Sequence, residues 1–380
     1  MSKKIIFLAE KPYFSIARHA LNLKRQGVST YLIYCSEVSC GVRRFLQKAF
    51  DQIIFVANKD SMIEKANKLS TYLHFFQTWM WKYKDTYSML LASNAEKKVV
   101  EFYDITSFFA EKNDLKKVWE SETVDSDLFY EKEIIKKSTS SFARFPQSIL
   151  DEYARQFNCT GKLQELHPCS EKLSKVSFLS KIKNWKKKFT ILYTGGLIPR
   201  NEAHPAEIFP ERGLIDVFEE LIRKGFLVEV LHDPNRPIKN EKENLKDFFQ
   251  LKAKNKSFKI LDGISPDLYA SKVANYLAGL ILSNIPTQNR IGKNILCGGV
   301  GTKFFSYLEA GLPVIVNKEY NYMKTLLEKY NAGLAFTFPE LVAAEKEEII
   351  EKISETRSNT KKLLQDFHLD YNLKINYLIQ

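Results

Sequence analysis

Cysteine is scarce in this sequence and follows no pattern that would pair it. The 380 residues include five cysteines, an odd number, and no two of them have Cys-x-x-Cys spacing. A disulfide framework or a structural zinc site is therefore not expected, which suits a reducing compartment. No apolar run approaches the roughly 18 residues that a membrane span needs. The chain begins directly with a predicted strand, so we expect no secretory signal peptide and predict a cytoplasmic protein, soluble or peripherally attached.

Several catalytic motifs are also absent. The sequence has no His-Glu-x-x-His pattern, no Gly-x-Ser-x-Gly turn and no Walker loop. These absences argue against a helical zinc site, a serine hydrolase and a P-loop ATPase. We expect neither an essential metal nor a cofactor.

The composition is that of a globular protein with an excess of positive charge. Hydrophobic residues make up 44% and aromatic residues 13% of the chain, enough for substantial cores, and the length favours two domains. The net charge of +12 is compatible with nucleic acid, an anionic membrane surface or an acidic ligand. Its densest run, residues 181–188, is either a solvated linker or a membrane-surface contact. The first half lacks a basic helix with base-reading side chains, so we do not expect nucleic acid as a partner.

Short apolar strands alternate with helices in both halves of the chain. The predicted strands are residues 3–9, 28–34, 53–56, 72–76, 98–103 and 142–145 in the first half and 189–193, 227–231, 258–261, 278–283, 312–316 and 333–336 in the second. The first helix is predicted to be capped by Ser15 and closed by Gly27. This alternation predicts an α/β fold with two Rossmann-like, doubly wound parallel sheets. The predicted divisions are an N-terminal domain at residues 1–169, a linker at 170–188, a C-terminal domain at 189–357 and a final helix at 358–380.

Residues that directly follow strands are the candidates for a ligand site. In open α/β sheets ligands bind outside the carboxyl ends of the strands, and two such domains can enclose a cleft. The first half offers Glu10, Lys11, His74, Gln77, Tyr103 and Asp104, and the second offers Gly195, Gly196, Arg200, His232, Asp233 and Asn284.

The most informative segment is the glycine-rich turn within residues 298–316. Gly299 and Gly301 let the backbone approach a ligand closely, and Thr302 is predicted to cap a helix whose first amides point at that ligand. Such a helix start attracts an anion, most naturally a phosphate, and Lys303 adds a full positive charge. The segment indicates a nucleotide-linked substrate. The alternative is an ordinary connection from loop to helix to strand.

Arginines add to the predicted anion site. A nucleotide diphosphate needs positive charge, because its cleavage leaves an extra negative charge on it. Arg200 and Arg212 supply that charge, and the alternative for each is a solvated or paired side chain, which is the commoner state of an arginine on a basic surface. Arg212 is unusual, because a cation at a helix start opposes the helix dipole. His232 is a further candidate, although residues 232–235 have the composition of a tight polar turn.

Two residues of the first half are candidates for catalysis. His74 has the chemistry of a general base or a sugar contact, and the stronger alternative is a hydrogen-bonded histidine in the domain wall. Asp104 ends an apolar strand and either orients an acceptor hydroxyl or caps the next turn.

The second half resembles the nucleotide-sugar domain of glycosyltransferases of the GT-B fold, in particular the large retaining "group 1" family. The similar segments are residues 191–197, 211–214, 301–315 and 331–334. The first half resembles the acceptor domain of that family more loosely, in residues 18–27 and 98–104, and residues 367–379 resemble the helix that crosses back onto the first domain. The resemblance implies two Rossmann-like domains that face each other across a cleft.

Two positions depart from the family pattern. Ser306 stands where the family usually has a glutamate that holds the ribose, and Glu309 follows on a different face of the helix. Gly196 stands where the family often has an arginine, Arg212 stands where its diphosphate-binding lysine usually lies, and Arg200 is a candidate to compensate. The identity of the nucleotide stays open for this reason.

The resemblance implies transfer of a sugar from a nucleotide-sugar donor to a hydroxyl of a glycan or lipid-linked acceptor, without an essential metal. It also implies a role in surface polysaccharide or glycoconjugate synthesis, at the inner face of the cell membrane. One alternative is a nucleotide-sugar epimerase or hydrolase of the same fold. Another is a non-enzymatic basic protein that binds polyanions. Retention or inversion is not decided, and inversion would require Asp104 or His74 as a base.

Overall fold

The computed structural model describes residues 4–170, 187, 189–199 and 207–377, which form two compact units. The first unit comprises the described residues up to Ser170 together with those from His368 onward. The second unit comprises the described residues between these two parts, up to Phe367. The division at His368 falls inside the last helix, Thr360–Tyr377. The predicted linker, residues 170–188, lies almost entirely outside the described residues.

The first unit is built on a sheet of seven parallel strands, counted over the described residues. Its strands are β1 (Lys4–Ala9), β2 (Ser29–Tyr34), β3 (Gln52–Phe55), β4 (Leu73–Thr78), β5 (Lys97–Phe102), β6 (Ser140–Ala143) and β7 (Leu163–Glu165). Its helices are α1 (Phe14–Arg25), α2 (Cys40–Ala49), α3 (Lys59–Leu69), α4 (Tyr83–Ala92), α5 (Thr106–Phe109), α6 (Lys112–Leu115), α7 (Ser121–Lys137) and α8 (Gln147–Arg155). The order across the sheet is β3-β2-β1-β4-β5-β6-β7, so the winding reverses between β1 and β4.

The central strands of this sheet are buried on both faces. Phe7 of β1 lies beside Phe75 of β4 in register, with ring centroids 4.8 Å apart. Such continuous apolar runs are typical of a parallel sheet covered on both sides by helices. Burying one of these rings contributes about 1.5–3 kcal/mol to stability.

Helix α1 begins at Phe14, after Tyr13, and the prediction that Ser15 caps it is wrong. The Ser15 hydroxyl instead donates to the buried Glu101 carboxylate at 3.0 Å. A charged acceptor inside the domain therefore takes the hydroxyl that the sequence pattern assigned to the helix end. Gly27 follows the helix with φ +74, as its predicted role in closing the helix requires.

The second unit is built on a sheet of six parallel strands within the described residues. Its strands are β8 (Thr190–Thr194), β9 (Leu227–Leu231), β10 (Phe258–Leu261), β11 (Ala278–Ile281), β12 (Val314–Asn317) and β13 (Gly333–Phe336). Its helices are α9 (Leu214–Arg223), α10 (Lys246–Lys254), α11 (Pro266–Val273), α12 (Lys293–Gly298), α13 (Thr302–Glu309), α14 (Asn321–Tyr330), α15 (Phe338–Ala343), α16 (Lys346–Thr356) and α17 (Thr360–Tyr377), the last of which continues into the first unit. The order across the sheet is β10-β9-β8-β11-β12-β13.

Helix α9 shows why the second unit folds as it does. Leu214, Val217, Phe218 and Leu221 are buried and recur at the spacing of one helical face. They join the core cluster that also contains residues of β9. The predicted fold class, two doubly wound parallel sheets, is confirmed. No disulfide joins the five cysteines, all of which are described.

Candidate functional site

The winding of the second sheet reverses between β8 and β11, which lie side by side. The chain runs outward from β8 through β9 to β10 and then returns to β11 on the other side of β8. In open α/β sheets, ligands bind outside the carboxyl ends of the strands at such a reversal. The glycine loop after β8 and the start of α13 meet at this point.

Gly195 allows Lys303 to lie across the carboxyl end of β8. Gly195 has φ +115, which residues with side chains rarely adopt, and a Cβ placed on it would lie 2.8 Å from Cε of Lys303. The Lys303 ammonium donates to the Tyr193 hydroxyl at 2.7 Å, and that hydroxyl donates to the Gly196 carbonyl at 3.1 Å. Helix α13 thus holds a cation directly over the glycine loop.

Lys303 carries its charge at neutral pH. Burial alone would lower the pKa of Lys303, but Tyr193 and Glu211 outweigh it, and the pKa is raised. Burial raises the pKa of Tyr193 in turn, so the phenol stays neutral. Because Lys303 is partly buried, its field is stronger than that of a lysine in water.

The start of α13 differs from the prediction in one respect. Gly301 precedes the helix with extended backbone, φ −69 and ψ 146, and Thr302 is the first helical residue. No side chain caps this helix start among the described residues, so the prediction that Thr302 does so is wrong. Gly301 is exposed, and a Cβ placed on it would meet no atom within 4 Å. The positive end of the helix dipole therefore adds to the charge of Lys303 at this edge.

Gly299 has a packing explanation that needs no ligand. It directly follows α12, and a Cβ placed on it would lie 2.8 Å from the carbonyl oxygen of Ile295. The carbonyl of the last turn of α12 therefore leaves little room for a side chain at this position. The donor-binding role predicted for Gly299 stays a prediction.

Residues on the inner face of α13 pack against the sheet. The Tyr307 hydroxyl accepts from the Thr194 backbone N–H at 3.0 Å, and a Cβ placed on Gly279 of β11 would lie 2.3 Å from the Tyr307 ring. Ser306 is partly buried and its hydroxyl donates to the helix backbone at 3.2 Å. Glu309 is 3% exposed, which places its carboxylate inside the unit. Ser306, and not Glu309, therefore occupies the more accessible position on this helix.

Arg212 lies in the turn Pro210–Gly213, before the helix that was predicted to contain it. It is 3% exposed, and its Nη1 donates to the Pro199 carbonyl. Burial lowers the pKa of the guanidinium, Asp247 and Glu211 oppose this shift, and the group stays charged. Arg212 thus joins the loop after β8 to the beginning of α9.

His232 follows β9 and is 1% exposed. Burial first and then Arg236 lower the pKa of His232, so its imidazole is neutral at pH 7. Its backbone N–H donates to the Leu261 carbonyl at 2.9 Å. The Asn235 backbone N–H donates to Oδ1 of Asp233 at 2.8 Å, so the segment forms the tight polar turn that its composition indicated.

Arg236 is a further cation of this site that was not among the predicted residues. Its Nη1 would lie 3.2 Å from a Cβ placed on Gly196, and its Nε and Nη2 donate to the two oxygens of Glu241 at 3.2 and 2.6 Å. Arg236 therefore stands over the second glycine of the loop as Lys303 stands over the first. Arg236 lies in the turn that follows β9. The other candidates were selected because they also follow strands. Arg200, the remaining predicted cation, lies outside the described residues.

In the first unit, the position of His74 contradicts a catalytic role. It is the second residue of β4, at the amino end of the strand, whereas ligands bind at the carboxyl ends. It is fully buried, with Nδ1 2.8 Å from the Ser93 hydroxyl and Nε2 2.9 Å from the Ser70 carbonyl. Burial lowers the pKa of this imidazole. The geometry supports the alternative, a hydrogen-bonded histidine of the domain wall.

Asp104 lies at the carboxyl edge of the first sheet, two residues after β5. It is partly buried, and its carbonyl accepts from the Tyr83 hydroxyl at 2.6 Å. The next helix, α5, begins after Ile105 without a side-chain cap. Asp104 therefore lies at the edge of the sheet where ligands of α/β folds bind, and its role there stays a prediction.

Helix α7 contains the sequence Asp125-Ser126-Asp127, whose two carboxylates do not converge. Asp125 pairs with Lys112 and Lys116, both at 2.7 Å. Asp127 is 4% exposed and accepts from the Thr106 hydroxyl at 2.5 Å. Within the described residues, no three His, Cys, Asp or Glu side chains are grouped so that they could hold a metal ion. In that same part of the chain no helix is long and apolar enough to cross a bilayer.

Solved structures with a similar arrangement of two parallel sheets identify the architecture. HepE (Alr3699) from Anabaena, solved in complex with UDP, matches with a TM-score of 0.63 and 14% identity over 99% of this chain and 98% of that one. The chain has the GT-B fold. A GT-B UDP-glucosyltransferase from Polygonum tinctorium that glucosylates indoxyl matches with a TM-score of 0.53 and 11% identity over 100% of this chain and 98% of that one.

A third GT-B match is MnaA from S. aureus in its co-structure with UDP, with a TM-score of 0.52 and 12% identity over 98% of this chain and 97% of that one. No protein-family model matches the sequence, and no curated protein matches it. At these identities the matches establish the GT-B fold and not the activity.

Proposed function

We propose that this GT-B protein is a glycosyltransferase that moves a sugar from a nucleotide-sugar donor to a hydroxyl of a glycan or lipid-linked acceptor. The observation that carries the proposal is the position of Lys303 over Gly195, at the winding reversal of the second sheet. A fixed cation, the amino end of a helix and a backbone without a side chain together fit a diphosphate. Two GT-B neighbours were solved with UDP, so UDP-linked sugars are the first donors to test.

The proposed chemistry depends on the charge of the leaving group. When the bond between the sugar and the diphosphate breaks, the diphosphate gains negative charge. Lys303 lies where it can stabilise that charge, and Arg236 reaches the same loop if it exchanges Glu241 for phosphate. A charge-assisted hydrogen bond contributes about 1.5–3 kcal/mol. Donors that are positioned in advance lower the barrier most effectively. We propose that these cations, and no essential metal, stabilise the departing diphosphate.

On the acceptor side, we propose that Asp104 orients or deprotonates the attacking hydroxyl. Its place at the carboxyl edge of the first sheet supports this role, and the location of His74 in the domain wall removes the other candidate. The Asp104→Asn variant should lower kcat strongly and leave donor binding unchanged. A variant with normal kcat would exclude Asp104 from the reaction.

The net charge of +12 supports an acceptor that is presented at an anionic surface. We therefore propose a role in the synthesis of surface polysaccharide or another glycoconjugate, with peripheral contact to the cytoplasmic face of the membrane. Sedimentation of the chain with vesicles that contain anionic lipid, and not with neutral vesicles, is the expected result. Failure to sediment with either would remove the membrane from the proposal.

The activity is tested by incubating the chain with UDP-, GDP- and CMP-sugars, with and without a panel of simple glycosides. We expect release of one nucleotide only when an acceptor is present, together with a product one sugar longer by mass spectrometry. Release without acceptor would indicate a hydrolase, and an isomerised donor without acceptor would indicate an epimerase. If no nucleotide or nucleotide sugar binds in a calorimetric titration, the proposal has no donor and is wrong.

A further inference from the structure

Among the described residues, no acidic side chain pairs with the buried Arg144. It directly follows β6, at the carboxyl edge of the first sheet, and is 7% exposed. Its Nη2 donates to the Tyr103 carbonyl, but its Nε and Nη1 are buried and have no hydrogen-bond partner among the described residues. A guanidinium keeps its charge at any physiological pH. A buried charge without a counter-ion is costly, so an anion that reached this group would relieve that cost.

Aromatic rings are layered beside this guanidinium. Its central carbon lies 4.2 Å from the centre of the Tyr103 ring, and Tyr13 stacks on Tyr103 with centroids 4.1 Å apart and planes 17° from parallel. Trp79 meets Tyr13 at 5.1 Å and 88°, close to perpendicular. The three rings are partly exposed. The apolar C–H face of a sugar ring packs well on such aromatic surfaces, which also offer polar tips for hydrogen bonds.

These side chains come from neighbouring strand ends. Tyr13 follows β1, Trp79 follows β4, Tyr103 and Asp104 follow β5, and Arg144 follows β6. The strands β1, β4, β5 and β6 are consecutive across the sheet, and the winding reverses between the first two of them. The rings, the carboxylate and the buried cation therefore share the edge of the first sheet at which ligands of α/β folds bind.

A buried hydrogen-bond network fixes the position of Tyr13. The Tyr13 backbone N–H donates to Oε1 of Gln77 at 2.8 Å, and Nε2 of Gln77 donates to the Glu101 carboxylate at 2.8 Å. Gln77 and Glu101 are each 3% exposed. A ring that is fixed before a ligand arrives loses less conformational freedom on binding, which favours affinity.

We propose that this edge binds a sugar acceptor that carries an oxyanion, a carboxylate or a phosphate, with the sugar ring against Tyr13 and the oxyanion on Nε and Nη1 of Arg144. The proposal rests on the proposed function, because it names the class of that enzyme's acceptor. Planar guanidinium groups bind carboxylates and phosphates with two parallel hydrogen bonds. Neighbouring atoms cover both N–H groups, so binding requires the Arg144 side chain or the Tyr103 ring to rotate.

Three sugars with the same ring separate the two sources of charge: glucuronic acid, glucose 6-phosphate and glucose. Their dissociation constants are measured for the full chain by ligand-observed NMR at constant ionic strength. At least one charged sugar should bind about tenfold more tightly than glucose, the difference expected of a charge-assisted hydrogen bond. The sugar that shows the preference identifies a carboxylate or a phosphate as the natural group.

Arg144→Gln should abolish this preference, whereas Arg155→Gln should keep it. Arg155 lies exposed on α8 in the same unit, so its substitution removes the same charge elsewhere. If Arg144→Gln does not fold, as judged by thermal unfolding, Tyr13→Ala decides. It should weaken the binding of all three sugars and preserve the difference between charged and neutral ones.

Equal affinity for the three sugars overturns the proposal. A preference that survives in Arg144→Gln, or an unchanged affinity for glucose in Tyr13→Ala, does so as well. The measurement needs neither donor nor turnover. A charged-sugar preference without transferase activity would therefore remove the proposed function alone, and transferase activity without the preference would remove this proposal alone.

Discussion

At the winding reversal of the second sheet, Gly195 and Gly196 leave the backbone bare, and Lys303 and Arg236 lie over it. At the reversal of the first sheet the ends of β1 and β4 are followed by the aromatic residues Tyr13 and Trp79, and the Glu101 carboxylate is buried nearby. The two sheets follow the same winding rule and place different chemistry at the same point of the fold, because the cation of the first edge, Arg144, follows β6, two strands beyond β4. Bare backbone and cations fit a phosphate, whereas rings fit a sugar. The fold fixes where a ligand binds, and the residues after the strands decide which ligand.

The largest expected effect is on the first unit, from Glu101→Ala. This change removes the charged acceptor of two buried groups, the Ser15 hydroxyl at 3.0 Å and Nε2 of Gln77 at 2.8 Å, and the carboxylate that lies 3.3 Å from Nε2 of His19. We expect the free energy of unfolding of this unit to fall by about 3–5 kcal/mol, measured by denaturant titration. Glu96→Ala, at an exposed position of the same unit, should change it by less than about 0.5 kcal/mol. Equal effects of the two variants would show that the network does not hold this edge together.

In the second unit, Lys303→Ala should weaken UDP binding about tenfold to a hundredfold, because a charge-assisted hydrogen bond is lost. Isothermal titration calorimetry measures this directly. Lys329→Ala, at an exposed site on α14, is the matched control and should leave the affinity within about twofold. An unchanged affinity in Lys303→Ala would remove the cation from the site and with it the contrast between the two edges.

A smaller effect concerns pH. Burial raises the pKa of Glu131 to about 7 and that of Asp127 to about 6. A carboxyl group whose pKa is higher in the folded than in the unfolded state contributes stability below its unfolded pKa and loses it as the pH rises through the folded value. The first unit should therefore lose stability between about pH 4.5 and pH 7.

The Glu131→Gln variant should remove much of this pH dependence. Glutamine keeps an acceptor for the Ser107 hydroxyl, which donates to Glu131 at 2.6 Å, and has no charge to bury. The variant should gain about 1 kcal/mol or more relative to the native chain between pH 5 and pH 8 in thermal unfolding. Parallel pH profiles of the variant and the native chain would contradict the account.

The smallest expected effect is that of Arg236→Gln on UDP binding. Arg236 is already paired with Glu241, so replacing that pair by a phosphate contact yields little net gain. We expect the dissociation constant to rise by about threefold or less. Glu241→Gln should lower it by a similar factor, since it frees the guanidinium. If Arg236→Gln raises the dissociation constant for UDP as much as Lys303→Ala does, the two cations contribute equally to binding. The proposed ranking of Lys303 above Arg236 is then wrong.

Local patterns in the sequence predicted the sheets well. Strands Leu227–Leu231 and Phe258–Leu261 have the predicted bounds, because short apolar runs between turns have few other interpretations. Helix α2 was not predicted, although Val42, Phe45, Leu46 and Ala49 have helical spacing and Ser39 accepts a capping hydrogen bond from Val42. The signal for this helix was present in the sequence.

The site depended on tertiary contacts that no local pattern shows. The contact of Lys303 with Gly195 requires the strand order, and the burial of Arg144 requires its neighbours in the first sheet. The prediction for His74 was wrong because it placed this residue at the carboxyl end of a strand. His74 is the second residue of β4 and therefore lies at the amino end. The capping role of Thr302 failed because Gly301 takes the position before the helix.

A crystal structure of the chain with UDP tests the central claim most directly. We predict the β-phosphate within about 3 Å of the Lys303 ammonium, the distance of a charge-assisted hydrogen bond, beside Gly195 and the start of α13. Density for the diphosphate elsewhere, with Lys303 still bound only to Tyr193, would contradict the account.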